Sequence, residues 1–158
     1  MSAAGSDGAA VRIPPPLIFA GAIIGGGLLH TRLPLPGFTL HAGLRIALCA
    51  ICLLAGSLLM VGAMRLFKLS GQDPRPWKST PEIVSSGVYR FSRNPMYVGM
   101  ALIQAGIGIG ASKPWVVALV PLVLLTVYVT AVRHEEAYLQ REFGETYTDY
   151  RAAVRRWL

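Results

Sequence analysis

The chain has 158 residues, of which 53% are hydrophobic and 15% charged, with a formal net charge of +7 and a mean hydropathy of +0.49. That is too apolar for an ordinary water-soluble domain of this length and fits a small polytopic membrane protein. The basic residues flank long apolar runs instead of forming a patch interleaved with aromatics, which argues against nucleic acid as a partner and makes them topology signals.

Residues 1–12 are small, polar and unpatterned and read as a disordered N-terminus. Pro14 to Pro16 stiffen the entry to the first apolar run. No small-residue cleavage site follows Leu29, so Ile13 to about Leu33 reads as a retained, short span with Gly21 and Gly25 as its helix-contact face. Ile46 to Met64 is nineteen residues without a charge, enough to cross the hydrocarbon core. Cys49 and Cys52 form a C-x-x-C inside this run, but without a second pair they read as small packing residues, and no metal-ligand spacing occurs.

Residues 13–69 therefore hold the first two spans, and residues 70–158 form the remaining unit. It opens with a polar, proline-rich loop from Gly71 to Pro81. Tyr97 to Ala111 is a third span, Ser112-Lys113-Pro114 a tight turn, and Pro114 to Val132 a fourth span kinked by Pro121. Glycines 99, 106, 108 and 110 leave the third span thin, so a lipophilic molecule could approach it sideways from the lipid.

From Arg133 the chain becomes charged and amphipathic. Leu139, Phe143, Tyr147, Tyr150, Val154 and Trp157 form a helical stripe, which Gly144 divides. Thr146 with Asp149 resembles a capping box restarting the helix, and Arg155, Arg156 and Trp157 suit anchoring to headgroups. The expected fold is all-α: a polytopic membrane protein with four transmembrane helices and a C-terminal amphipathic cytoplasmic helical segment. With both termini on one side, twelve basic residues share that side and only Arg32, Arg45 and Lys113 lie opposite, which puts the termini in the cytoplasm.

Polar chemistry is concentrated in two places on that cytoplasmic side. The first is Ser85 to Gly99, where Gly87 permits a turn, Asn94 can cap a helix, and Pro95 suits its first turn, with Tyr89 and Arg93 between. The second is Glu135 and Glu136, beside Arg133 and His134 at the end of the fourth span, where a carboxylate is costly unless solvated or paired. Neighbours on a helix point about 100° apart, so only one of the two glutamates is expected to face the first motif, leaving the other to headgroups or Arg133.

Ser-Gly-Val-Tyr at 86–89, Arg-Asn-Pro-Met-Tyr-Val-Gly at 93–99, a helical hairpin, Glu135-Glu136, and Phe-Gly-Glu-Thr-Tyr-Thr-Asp-Tyr at 143–150 form an ordered set. This set resembles the isoprenylcysteine carboxyl methyltransferase family and its phospholipid methyltransferase relatives, over roughly Pro74 to Leu158. The resemblance implies methyl transfer from S-adenosylmethionine to a lipophilic or lipid acceptor within the membrane, with no metal required; the basic-residue split puts the active site of this integral, multi-pass protein in the cytoplasm, and a bacterial inner membrane is the expected location. Carried over, Glu82, Ile83, Val84 and Tyr89 line the cofactor, Asn94, Pro95, Met96 and Tyr97 close over it, and Glu135 contacts it directly. Arg93 and Glu136 are the catalytic candidates. The substrate-binding arginine of the prenylcysteine branch falls in register on Ala131, so Arg133 takes that role only if the helix rotates. Asn94 stands where that branch has histidine, which leaves carboxylate and amine headgroups both open. A sterol-reductase-like enzyme using NADPH and a non-catalytic membrane scaffold are the alternatives.

Overall fold

The computed structural model describes residues 13–71 and 82–158, so the N-terminal segment and most of the Gly71–Pro81 loop lie outside the described residues. Prolines open three of the helices, as expected for residues that lack an N–H the first turn does not need. Helix α1 spans Pro15–Arg32 and α2 spans Ala42–Leu69. A 3₁₀ turn at Gly87–Arg90 leads to α3, Pro95–Gly110. Then come α4 (Pro114–Ala118), α5 (Val120–Val127), a π-helical turn at Tyr128–Val132, α6 (Arg133–Phe143) and α7 (Glu145–Ala153). No strand occurs among the described residues.

Among the described residues, two helices are long and apolar enough to cross a membrane: α2, with 28 residues, and the 30-residue run Pro114–Phe143, whose charged continuation begins at Arg133. Helix α3 is apolar but has only 16 residues, and α1 has 18, beginning with prolines and ending at His30 and Arg32. Large apolar side chains nevertheless face outward from α1 (Leu17, Ile24), α2 (Ile51, Leu58) and α5 (Leu122, Leu125). An outer surface of this kind is suited to hydrocarbon as its solvent.

Helix α3 is the centre of the bundle. On one side it packs along α2, and on the other Tyr97, Met100 and Ala101 join Phe19 of α1, Val123 and Val127 of α5, and Ala131 and Val132 of the π turn in the buried core. The α2 contact is made by backbone. A Cβ on Gly56 would lie 2.6 Å from the Gly99 carbonyl oxygen, and one on Gly99 would lie 2.7 Å from that of Gly56. Further along, Gly106 leaves room for Cys52 and Gly110 for Cys49, so both cysteines are reduced packing residues. Gly108 faces the other way, against Val116 and Val117. At these four glycines the third apolar helix is thus covered by α2 and α4, so its thinness serves close helix packing.

The contact face expected on α1 also differs. Nothing lies within 4 Å of a Cβ at Gly21 or Gly25, whereas Gly26 seats the backbone of Val116 at 3.0 Å. The three glycines are close in sequence, but 100° per residue decides which one meets a neighbour.

Polar groups tie the short helices together. Gln104, fully buried in α3, donates through Nε2 to the Val116 carbonyl at 2.9 Å. The turn between α3 and α4 has Ser112 at a positive φ of 54°, and its Oγ accepts from the Phe38 N–H at 3.2 Å. Trp115 Nε1 donates to the Leu33 carbonyl at 2.7 Å. Both interhelical connections therefore lie at one end of the bundle, opposite the Glu135–Glu136 end. Helices α4 and α5 are interrupted at Leu119, two residues before Pro121, in keeping with the expected kink.

The backbone contact between α2 and α3 is directly testable. Gly56→Ala should lower stability in detergent by ~1–3 kcal/mol, since the obstruction is backbone and cannot rotate away. Gly21→Ala, pointing into open space, should be neutral or slightly stabilising. Equal thermal unfolding midpoints for the two variants would exclude this packing.

Candidate active site

The site is assembled where α3 begins and α6 begins. Gly87, at a φ of 56°, starts the 3₁₀ turn, and a Cβ there would lie 2.9 Å from Leu66 Cδ1. The turn buries Tyr89 edge-on against Phe67, with ring centroids 5.7 Å apart. Asn94 stands at the N-cap position of α3 but does not cap it through its side chain. Its amide is buried against the C-terminal tail instead, and Nδ2 donates to the carbonyl of Arg156 at 3.0 Å.

That bond is one of several made by the last five residues. After α7 the chain becomes extended at Val154 and runs back over the motif. The Arg93 N–H donates to the Arg155 carbonyl at 2.9 Å, and Ser92 Oγ donates to the Arg156 carbonyl at 3.3 Å. From α7, the Tyr150 hydroxyl donates to the Tyr89 carbonyl at 2.8 Å. The expected capping box is absent: Gly144, at a φ of 52°, precedes α7, which begins before Thr146.

Both glutamates engage the motif, which corrects the expectation that only one could. Tyr97 donates its hydroxyl to Glu135 Oε1 at 2.5 Å. Glu136 lies 3.1 Å from Arg93 Nη1, with their side chains 14% and 8% exposed. Two neighbours 100° apart both find partners because Arg93 and Tyr97 lie on either side of the α3 start. Immediately upstream, the π turn changes the helical register, and such turns recur where helices carry functional side chains.

Glu136 is also gripped by Arg156, whose Nε and Nη2 donate to Oε1 and Oε2, each at 2.9 Å. The Arg156 guanidinium lies 4.8 Å over the Tyr128 ring. Arg93 Nη1 donates in addition to the Tyr147 hydroxyl at 3.2 Å, whereas Arg93 Nε is buried and has no partner. The tail residues expected at headgroups therefore have another role: Arg156 is an ion-pair partner, and Trp157 packs against the core.

The remaining candidates are spread more widely. Pro95 is buried, and Met96 packs against the core beside Tyr97. Ile83 and Val84 are half-buried on the approach to Gly87, where Glu82 is exposed. Arg133 is exposed, with its Nε 3.4 Å from His134 Nε2, while Ala131 is buried; the π turn does not carry Arg133 into the cluster. Sequence reasoning missed Ser92, Tyr147 and Arg156 as members of the site. A signal for Arg156 existed in the adjacent basic pair Arg155-Arg156, which can supply a cation to a carboxylate such as Glu136.

Burial pushes the Glu135 carboxyl up to about 7; the Tyr97 hydrogen bond lowers it, and the Glu136 charge adds to the rise. Burial likewise raises the Tyr89 and Tyr147 phenols, so both remain neutral hydrogen-bonding groups.

Among the described residues, helices with apolar outward faces and buried, paired charges at one end fit a membrane-associated protein. A family model described as phospholipid methyltransferase matches residues 44–146, and the chain belongs to that family. It is accordingly a membrane methyltransferase. The match begins in α2, upstream of the part that the motifs alone identify, and ends before the tail that holds Arg156. No curated protein matches the chain.

Glu135 predicts a pH dependence. Its folded value lies above the ordinary carboxylate value, so between about 4.5 and about 7 the folded state holds more protons than the unfolded one, and stability falls as pH rises. Glu135→Gln mimics the protonated acid and removes that decline. Its stability relative to the parent should rise by roughly 3 kcal/mol between pH 4.5 and 7.5, at about 1.4 kcal/mol per pKa unit. Parallel unfolding curves for the two proteins across that range would contradict the assignment.

Proposed function

We propose that this protein is an integral-membrane methyltransferase that uses S-adenosylmethionine and acts on a lipophilic acceptor bearing a carboxylate or amine headgroup. The observation that carries the reading is the adjacency of two pairs, Tyr97–Glu135 and Arg93–Glu136, in a chain of this family. The family favours methyl transfer over the NADPH-dependent and scaffold alternatives.

The donor set suits the cofactor's chemistry. A buried Arg93 Nε without a partner matches a carboxylate, the Glu135 carboxyl matches a ribose hydroxyl in exchange for that of Tyr97, and Tyr89, Met96, Ile83 and Val84 match a flat, apolar adenine. When bound, S-adenosylmethionine supplies an electrophilic methyl group on a sulfonium. What the chain contributes is alignment and the exclusion of water. Arg93 holds positive charge at the site, and Tyr97 and Glu135 hold a hydrogen-bonding pair beside it. Glu136 accepts from guanidinium groups on both oxygens, so it positions arginine and is poorly placed to take a proton. A carboxylate acceptor, already ionised, needs no base.

The topology proposed is four spans with both termini and the site in the cytoplasm. It is supported by the lopsided basic charge and by the two short connections sharing the opposite end. In a background lacking Cys49 and Cys52, a cysteine at Lys113 should label from outside the cell and one at Asp149 should not. The reverse pattern rejects this orientation.

Calorimetric titration in detergent tests the cofactor. S-adenosylhomocysteine should bind and NADPH should not, and Glu135→Gln should weaken binding about ten- to hundredfold through loss of one charge-assisted hydrogen bond. No binding of S-adenosylhomocysteine by the parent overturns the reading, and unchanged binding by Glu135→Gln removes Glu135 from the site.

A further inference from the structure

We infer that Arg156 is a positioning residue: by occupying both oxygens of Glu136, it keeps the Nε edge of the Arg93 guanidinium unpaired, as a place for an anionic ligand. The inference rests on the methyltransferase reading for the identity of that ligand, but its geometry stands in the chain itself.

A buried arginine beside a carboxylate ordinarily takes it with two parallel N–H bonds. At Glu136 that arrangement belongs to Arg156, with Nε on Oε1 and Nη2 on Oε2, each at 2.9 Å. Arg93 is left a single ion-pair contact, Nη1 to Oε1 at 3.1 Å, supplemented by the Tyr147 hydroxyl at 3.2 Å. Its Nε is buried and unpartnered, although the side chain is only 8% exposed. A buried N–H of a cation is costly to leave unsatisfied, and its persistence here marks a place where a ligand atom belongs. The two guanidinium groups share one carboxylate, Glu136, while Glu135 is engaged by Tyr97 instead.

Arg156 is held in this position from its own backbone. Its carbonyl accepts from Asn94 Nδ2 at 3.0 Å and Ser92 Oγ at 3.3 Å, and its guanidinium rests 4.8 Å over Tyr128. Main chain and side chain of one tail residue thus set both sides of Arg93. Removing the Arg156 guanidinium would release Glu136 to swing from Nη1 to the Nε–Nη2 edge of Arg93, where a carboxylate takes two parallel N–H bonds, closing the edge that a ligand would use. The site would retain a good ion pair and lose its binding function.

This separates positioning from a merely structural role. In titrations with S-adenosylhomocysteine in detergent, Arg156→Gln should bind about tenfold or more weakly, and Arg156→Lys should recover part of the loss. Adding Glu136→Gln to Arg156→Gln should improve binding over Arg156→Gln alone, because no carboxylate then competes for Arg93. Trp115→Phe, which loses the bond to the Leu33 carbonyl at the opposite end of the bundle, should bind like the parent. Parent-like binding by Arg156→Gln, no gain in the double variant, or a loss in Trp115→Phe as large as in Arg156→Gln overturns the inference. A cofactor-independent measurement is the Arg93 Nε–H resonance in isotope-labelled protein, assigned with Arg93→Lys. In Arg156→Gln it should shift and exchange more slowly with water; an unchanged resonance overturns the inference even if the parent binds no S-adenosylhomocysteine, a result that would separately defeat the cofactor reading.

Discussion

Glu136, shared between Arg93 and Arg156, is the contact on which the polar end of this protein depends. A charge taken out of water beside an apolar bundle is tolerated only when paired and hydrogen-bonded, and removing one partner from such a pair costs ~3–5 kcal/mol. Through Glu136 the start of α6 is joined to the start of α3 and to the end of the chain. These three segments are far apart in sequence, and none carries the site alone.

That joint can be placed accurately because α3 has little freedom elsewhere. Between helices in hydrocarbon there is no hydrophobic drive, so close packing and a few buried polar bonds must hold them. Gly56 and Gly99 let two backbones meet, Gly106 and Gly110 receive Cys52 and Cys49, and Gln104 ties α3 to α4. The same helix that is fixed by these contacts begins with Arg93, Asn94 and Tyr97 around its first turn. Packing within the bundle therefore sets the positions of the polar groups at its end.

The C-terminal strap completes the arrangement in a way the family match does not reach. Its carbonyls satisfy donors of the Ser92–Asn94 turn that would otherwise be buried beside a helix start, and its Arg156 side chain sets the charge balance of the cluster. Short, with two arginines followed by Trp157 and Leu158, it looks in isolation like an interfacial anchor. Its contacts instead make it part of the site.

The sequence by itself determined the apolar runs, the all-helical class, the charge asymmetry and the two polar motifs, because each depends on composition or on a local period along one helix. It also identified Glu135, Tyr97, Arg93 and Glu136 as residues of interest. Partner choice was decided only by tertiary structure: Tyr97 is 38 residues from Glu135, and Arg156 is 20 from Glu136 and 62 from Asn94. The same holds for Gly26 over Gly21 and Gly25, and for the cover over the α3 glycines. A helical period says which residues share a face, but not what that face meets. Here the meeting was settled by backbone approach within the bundle and by the return of the chain terminus to the helix starts.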